Sequence, residues 1–165
     1  MYHAMRWTEK KIAQRIELVE SLMHRQTVRI APFKYHELPG DYSDPSELIQ
    51  ANSSNWEEIP YYSHWGKRFT NFVMQSKFSV PDGWTSAGPV ALYLPLGEPG
   101  DFSHPEALAY ADGASFAACD RHHQEILLPP ALCDGSEHAL ALHGWTGLIM
   151  FRMSLESVED DPGLY

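Results

Sequence analysis

The residues with the greatest chemical potential lie in one short stretch, Cys119 to Leu128, which reads CDRHHQEILL. Residues 120–125 place five ionisable side chains directly before an apolar run. Two adjacent histidines between an aspartate and a glutamate are suited to a metal site, to an acid/base pair or to the recognition of a polar ligand. Each of these uses needs further residues, which the rest of the chain has to provide.

A metal site is only weakly supported by this stretch. Zinc requires three or four ligands that converge on one point. On a strand, His122 and His123 would point to opposite faces, whereas His123 and Glu125 would share one face. Neither a His-Glu-x-x-His nor a His-x-Asp motif occurs in the chain to supply a third ligand.

Nucleophilic and glycosidic catalysis have no specific signature either. The Gly-x-Ser-x-Gly elbow of serine hydrolases is missing, and Cys119 has no predicted helix N-terminus beside it to favour a thiolate. The chain holds 22 acidic residues, so the carboxylate pair of a glycosidase could be drawn from any two of them. That pattern is therefore uninformative.

Recognition of a carbohydrate is better supported. Such sites combine an aromatic platform with planar hydrogen-bonding groups, and residues 120–124 together with Trp145 would supply both. The alternative is that this polar cluster closes one end of the fold, with Arg121 paired to Asp120 or Glu125. Taken alone, the residues favour this second interpretation.

Length and charge restrict the class of protein. The chain has 165 residues, of which 44% are hydrophobic, enough for a single domain over residues 1–165. A formal charge of −10 opposes binding to nucleic acid. There is no run of about 18 apolar residues and no apolar signal segment, so we expect a cytoplasmic protein that does not enter a membrane. The only two cysteines, Cys119 and Cys133, are expected to be free thiols.

The spacing of apolar residues predicts one helix followed by strands. Residues 8–26 form the helix, because apolar residues recur at intervals of three and four, namely Ile12, Ile16, Val19, Leu22 and Met23. Residues 27–67 are predicted to be an extended, loop-rich excursion that is held in place by its aromatic side chains, Trp56, Tyr61, Tyr62 and Trp65. Residues 68–158 form the β-sandwich and residues 159–165 a tail.

Within residues 68–158 the apolar period is two. The segments predicted to be strands read RFTNFVMQSKFSVP, PVALYLPL, EALAYADGASFA, ILLPP, HALALHGW and LIMFRMSLESV. The third of them contains Asp112-Gly113, the strongest short-range signal for a hairpin. Short strands with frequent turns predict a mainly β protein, an antiparallel β-sandwich with one N-terminal α-helix.

Alanine alternates in two of these segments, at Ala107, Ala109, Ala111, Ala139 and Ala141. Because alanine is unusual on a solvated sheet face, we expect these residues to form one outer face that another element covers. The excursion, the helix or a further domain could cover it. In the isolated chain we expect the helix on one flank of the sandwich and a homodimer on the alanine face.

The sequence resembles a known family over nearly its whole length. The run ALAYADGASFAACDRHHQEILLPP, followed by Asp134-Gly135 and HALALHGWTG, resembles the N-terminal β-sandwich domain of family-38 α-mannosidases of the bacterial and cytosolic/vacuolar type. DFSHPEAL, Trp65-Gly66 and the strand end FSVP are also similar to that family. The resemblance extends from about residue 7 to residue 158 and is most specific from residue 101 to residue 147.

The resemblance implies a jelly-roll or galactose-binding-domain-like sandwich that belongs to a zinc-dependent retaining exo-α-mannosidase. The zinc ion and the aspartate nucleophile of that family lie in a separate catalytic domain, so this chain would be non-catalytic and hold no cofactor itself. Its partners would be that catalytic domain and a mannose-containing glycan. The residues that match the family pattern are Asp120, Arg121, His123 and Glu125.

Two other functions remain open at this stage. The first is a free-standing carbohydrate-binding module that uses Trp145, His123 and Asp120. A metal-dependent enzyme is the more remote alternative. The candidates for a surface that faces a substrate or another domain are therefore Asp120, Arg121, His123, Glu125 and Trp145.

Overall fold

The computed structural model describes residues 8–20, 22–40, 44–61, 63, 65–96 and 105–147. Its helices are α1 (Thr8–Glu20), α2 (Ser46–Ile49), α3 (Trp84–Ala87) and a 3-10 turn (Pro130–Leu132). Its strands are β1 (Phe33–Leu38), β2 (Glu57–Ile59), β3 (Asn71–Phe78), β4 (Ala91–Tyr93), β5 (Glu106–Ala111), β6 (Ala114–Asp120), β7 (Glu125–Leu127) and β8 (His138–Trp145). The predicted strand at 148–158, the tail at 159–165, the first half of DFSHPEAL and Tyr62 lie outside the described residues.

Two antiparallel sheets form the fold. The larger has six strands in the order β2-β1-β3-β8-β5-β6, and the smaller consists of β4 and β7. Leu92 and Ile126 of the smaller sheet belong to the same buried cluster as Phe72 and Leu142 of the larger one. The core therefore lies between the sheets, and the predicted mainly β sandwich is confirmed.

The centre of the large sheet is formed by β3 and β8, which pair along their whole length. The alternation in HALALHGW points Leu140 and Leu142 into the core, where they are 1% and 0% exposed. On β3, Phe72 and Met74 do the same. Burial of each such side chain contributes roughly 1.5–3 kcal/mol, so these two strands anchor the sheet. The apolar period of two predicted for both segments is confirmed.

The hairpin predicted at Asp112-Gly113 joins β5 to β6. Both turn residues have positive φ angles, 50° and 84°, the combination that a two-residue hairpin of matching twist requires. The Oδ1 atom of Asp112 also accepts a hydrogen bond from the backbone N–H of Ala139, at 2.9 Å. The turn is thereby attached to the neighbouring strand β8.

The structure corrects the interpretation of residues 27–67, because β1 and β2 lie within them and extend the large sheet. Phe33 and Tyr35 are buried on the inner face, whereas Leu38 is buried against a different cluster on the outer face. Strand β1 has only six residues and buries side chains on both of its faces. Its apolar residues therefore do not alternate cleanly with polar ones, and the sequence did not predict a strand here.

The prediction that aromatic residues hold this segment is confirmed for those described. Trp56 stacks on His36 with ring centroids 5.0 Å apart. Tyr61 donates a hydrogen bond to the carbonyl of Ile30, at 2.6 Å. Trp65 is partly buried and packs against the core.

The predicted helix is shorter than expected, and none of its residues is buried. It ends at Glu20 rather than at residue 26, and Leu22 and Met23 form a turn. No residue of α1 is buried, so the expectation that it lies on one flank of the sandwich is wrong. An amphipathic pattern shows which face a helix can bury, but not which surface it meets.

The expectation of one alanine-rich outer face is also wrong. In the register of β5 with β8, Ala109 lies opposite Leu142 and Ala107 opposite Gly144. Directly paired residues point to the same side of a sheet, so the alanines of β5 face the core. Ala141 is buried on the outer face, in a cluster with Val73. The alanines therefore do not share one outer face, and the surface on which the homodimer was predicted is not present in the sheet.

Two further sequence expectations concern cysteine and membrane crossing. Cys119 and Cys133 are free thiols, as predicted. Burial raises the pKa of Cys119 to about 12, which keeps it protonated. Among the described residues, none of the helices has the length and apolarity that crossing a membrane requires.

Candidate functional site

The stretch from Cys119 to Leu128 connects the two sheets. Strand β6, at the edge of the large sheet, ends at Asp120, and β7 of the small sheet begins at Glu125. The residues between them form a turn, so His122 and His123 are not on a strand. The alternation assumed for them in the sequence analysis is therefore wrong, and hydrogen bonds set their positions.

Asp120 organises this turn. Its Oδ1 accepts hydrogen bonds from the backbone N–H groups of His122, at 2.6 Å, and His123, at 2.8 Å. The Nδ1 atom of His123 lies 3.0 Å from both carboxylate oxygens. Burial opposes ionisation of Asp120, but the hydrogen bonds from the His123 ring and the two backbone groups outweigh it, and the pKa is lowered. Asp120 is thus held as an oriented anion with capacity to accept further hydrogen bonds.

A row of side chains crosses the large sheet at the end where β6 stops. Asn71 lies opposite Trp145, Trp145 opposite Glu106, and Glu106 opposite Asp120. Since paired residues point to the same side, all four face outward, away from the core. Strands are about 4.8 Å apart, so the backbones of Trp145 and Asp120 lie about 10 Å apart with Glu106 between them.

This row borders a depression of about 610 Å³, which we call the outer-face depression. Six polar or aromatic side chains line it, those of Asn71, Glu106, Asp120, His123, His143 and Trp145. Leu108 lines it as well and is 38% exposed. The volume lies in the range of small-ligand sites, about 300–1,000 Å³.

His143 points to the same outer face, two residues before Trp145 on β8. It lies between Val73 and Leu108 in the strand pairing. Burial lowers the pKa of His143, which favours the neutral ring at pH 7. A neutral imidazole can donate one hydrogen bond and accept another, which suits hydroxyl ligands.

Phe69 adds a second aromatic ring beside Trp145. It is 60% exposed, and its ring centroid lies 6.4 Å from that of Trp145. Its φ angle of 55° is uncommon for a bulky residue. The backbone is held there by a hydrogen bond from the Phe69 N–H to the carbonyl of Gly147, at 3.1 Å. Strained residues that persist in a structure are frequent at ligand sites.

The structure brings together three of the five predicted site residues. Asp120, His123 and Trp145 line the outer-face depression. Glu125 lies elsewhere, with its Oε1 atom 2.6 Å from Nε2 of His24. Arg121 donates from Nε to Nε2 of His122, at 3.0 Å, and is not among the residues that line the depression.

Sequence reasoning missed four residues of this region, namely Asn71, Phe69, Glu106 and His143. Three of them lie on strands in the structure, and their neighbours depend on the pairing register, for which the sequence carries no local signal. For Phe69, an aromatic residue before a strand gave no indication of a left-handed backbone.

A second cluster of ionisable groups surrounds His138, at the opposite end of β8. Its Nδ1 lies 2.7 Å from Asp112, and its Nε2 lies 3.1 Å from Asp134 and 3.2 Å from the hydroxyl of Ser136. Although this order is reminiscent of a Ser-His-Asp triad, the Ser136 hydroxyl donates to Asp134 at 2.6 Å. The cluster therefore acts as a clip that ties the β5–β6 turn to the start of β8.

Within the part of the chain that the structure describes, no group of three or more His, Cys, Asp or Glu residues is placed to hold a metal ion. A scan against models of known protein families gives no match, and a search of curated proteins gives none either. The resemblance to family-38 α-mannosidases stays an expectation from the sequence. Function has to be argued from the geometry of the site.

Proposed function

We propose that the chain is a carbohydrate-binding β-sandwich domain that holds a neutral glycan in the outer-face depression. The observation that carries this proposal is the row formed by Trp145, Glu106 and Asp120 on one face of the large sheet. It places an aromatic ring beside two carboxylates at the spacing of adjacent strands.

The chemistry of these groups matches that of a sugar. The apolar face of a pyranose ring packs on an indole, while neighbouring hydroxyl groups donate hydrogen bonds to carboxylates. Glu106 is exposed, and Asp120 is already oriented by its own turn. Because these acceptors are already oriented, less conformational entropy is lost when a ligand binds. Two carboxylates also disfavour acidic sugars, which is why the proposed ligand is neutral.

The proposal is tested by titrating methyl α-mannoside, with methyl α-glucoside as a comparison, while recording the indole resonances. We expect a dissociation constant on the order of 1 mM and a shift of the Trp145 signal. Trp145→Ala should weaken binding about tenfold, as loss of roughly 1.4 kcal/mol does. Trp56→Ala is the matched control, because Trp56 stacks on His36 outside the depression. If neutral sugars leave the Trp145 signal unmoved, the proposal is refuted.

A second candidate function is that of an accessory domain of a zinc-dependent α-mannosidase in the cytoplasm, with the catalytic domain as partner. It is supported by the order of elements in the resembling segment, where a strand ends in Asp-Gly and a hairpin leads to the Asp120 turn. In this role the depression would bind the glycan near the catalytic domain.

The second candidate predicts that the chain alone has no mannosidase activity. An aryl α-mannoside incubated with the chain and zinc or cobalt should release no aryl alcohol. Turnover that is proportional to chain concentration and abolished by a chelator would contradict a purely accessory role.

A further inference from the structure

Phe69 combines an unfavourable backbone conformation with an exposed side chain. Its φ angle is 55°, in the left-handed region where Cβ crowds the following carbonyl oxygen and where Gly, Asn and Asp are the usual residues. Phe69 is also 60% exposed, so burial of its ring offsets only a small part of that cost. The stability of the fold therefore gives no reason for an aromatic residue at this position.

Hydrogen bonds to the end of β8 hold the backbone around Phe69. The Phe69 N–H donates to the carbonyl of Gly147, at 3.1 Å. The hydroxyl of Thr146 accepts a hydrogen bond from the N–H of Thr70, at 3.0 Å, and donates one to the carbonyl of Lys67, at 2.5 Å. Thr70 and Thr146 are 6% and 7% exposed, so these bonds are shielded from water. The turn thus fixes the backbone of Phe69 while most of the side chain stays accessible.

This turn places the Phe69 ring beside the indole of Trp145. The hydrogen bond from Phe69 to Gly147 continues the pairing of Asn71 with Trp145 by two residues on each strand. The two ring centroids lie 6.4 Å apart, and the ring planes are tilted by 44°. Trp145 lines the outer-face depression, whereas Phe69 is not among its lining residues. A ligand that extends from the depression across the indole therefore approaches Phe69.

We propose that Phe69 is a second aromatic contact for the glycan, so that the chain binds an oligosaccharide of at least two neutral sugar units rather than a single sugar. This inference rests on the proposed binding of a neutral glycan in the outer-face depression. One unit lies in the depression, where it packs on Trp145 and its hydroxyl groups donate hydrogen bonds to Glu106 and Asp120. The next unit packs on the ring of Phe69.

The arrangement of the two aromatic rings fits two linked sugar units. Their centroid separation of 6.4 Å is comparable with the distance between the centres of neighbouring rings in a glycan. Successive units of a glycan are usually turned relative to each other, and the tilt of 44° allows each unit to lie flat on its own aromatic ring. Because the turn fixes the backbone of Phe69 before binding, little entropy is lost in ordering this contact.

Titration of the whole chain with single sugars and with their disaccharides tests the proposal. The probes are methyl α-mannoside with α-linked mannobioses, and methyl α-glucoside with maltose, followed through the indole and phenylalanine ring resonances. We expect at least one disaccharide to bind about fivefold more tightly than its single sugar, as one further aromatic contact allows. That disaccharide should also shift the ring signals of Phe69, which the single sugar should leave unmoved.

Substitutions at position 69 separate the second contact from the first. Phe69→Asn and Phe69→Gly remove the ring but keep residues that adopt the left-handed conformation readily. Both variants should lose the fivefold gain and keep the affinity for the single sugar, whereas Phe69→Tyr should keep both. Leu127→Asn is the matched control, because it removes a side chain that is 68% exposed from the small sheet. It should bind both kinds of sugar like the wild type.

The same titrations contain the results that would overturn the second contact. Equal affinity of the wild type for single sugars and disaccharides would overturn it and leave the proposed function intact. Loss of affinity for both kinds of sugar in Phe69→Asn and Phe69→Gly would also overturn it, since Phe69 would then act only by supporting Trp145. If neither kind of sugar binds the wild type, the proposed function itself fails, and the second contact fails with it.

Discussion

The two faces of the large sheet are built from the same strands but differ in chemistry. On β8, Leu140 and Leu142 point inward and are almost completely buried, whereas His143 and Trp145 point outward and are partly exposed. The inner face is occupied by aliphatic and aromatic packing. At the β6 end, the outer face carries the carboxylates and the indole of the proposed site.

The packing of the inner face fixes the positions of the side chains on the outer face. Successive side chains of a strand alternate between faces, so the packing that fixes Leu142 and Gly144 also fixes His143 and Trp145. A register shift of one residue would exchange the two sets. The groups of the depression are thus held by a rigid scaffold, which improves the precision of a binding site.

Replacement of a leucine by alanine should give the largest difference in stability between the two faces. Leu142→Ala removes a side chain that is 0% exposed and should cost about 2–5 kcal/mol of unfolding free energy. Leu108→Ala, on the outer face, removes one that is 38% exposed and should cost less than about 1 kcal/mol. Urea unfolding measures both values. Equal losses would show that the two faces do not differ in packing as described.

Gly144→Ala tests whether the inner face positions the outer one. A Cβ at this position would clash with the carbonyl oxygen of Glu106, and would lie 2.7 Å from Cζ of Phe72 and 2.9 Å from Cβ of Ala107. We expect a loss of about 1–3 kcal/mol from overpacking, together with weaker sugar binding, because Glu106 is displaced relative to Trp145. Unfolding and sugar titration measure the two effects. Full retention of sugar affinity in a destabilised variant would contradict the coupling.

The clip around His138 makes the far end of the inner face sensitive to pH. Hydrogen bonds from the ring to Asp112 raise the pKa of His138 above its ordinary 6.5, with Asp134 adding to the effect. That stabilisation is complete below about pH 6.5 and is lost as the pH rises through the raised value. The hydrogen bond from His138 lowers the pKa of Asp112, and those from Ser136 lower the pKa of Asp134 to about 2. Their contribution is present above the ordinary 3.8 and is lost as the pH falls.

Thermal unfolding between pH 3 and pH 9 measures this dependence. The clip should stabilise most between about pH 4 and pH 6.5, and His138→Gln should lower Tm there by about 3 °C. His122→Gln is the control, because His122 is exposed in the Asp120 turn. If the difference in Tm between wild type and His138→Gln stayed constant across this pH range, the clip would not be the source of the pH dependence.

The smallest expected effect is on the inner face, at Tyr35. Its hydroxyl is buried and has no hydrogen-bond partner in the described part of the chain, and burial is the main reason that its pKa rises to about 12. Removing an unsatisfied buried polar group is neutral or stabilising, so Tyr35→Phe should stabilise the protein by up to about 1 kcal/mol. Urea unfolding measures the change. A loss of stability instead would show that the hydroxyl makes a compensating contact.

The sequence by itself determined what depends on neighbouring residues. The alternation of β3 and β8, the hairpin at Asp112-Gly113 and the mainly β class follow from local patterns and turn chemistry. The chemical types of Asp120, His123 and Trp145 also made them candidates for one polar site, and the structure places all three at the outer-face depression.

Only the tertiary structure decided which residues become neighbours across the sheet. The register of β5 with β8 placed Glu106 beside Trp145 and turned Ala109 into the core. The passage of the chain from β6 into the small sheet at β7 separated Glu125 from the other candidates. The exposure of the apolar residues of α1 was likewise not a local property. Pairing register and helix docking depend on contacts between residues distant in the chain, and a difference of one residue in register inverts the two faces while leaving every local pattern unchanged.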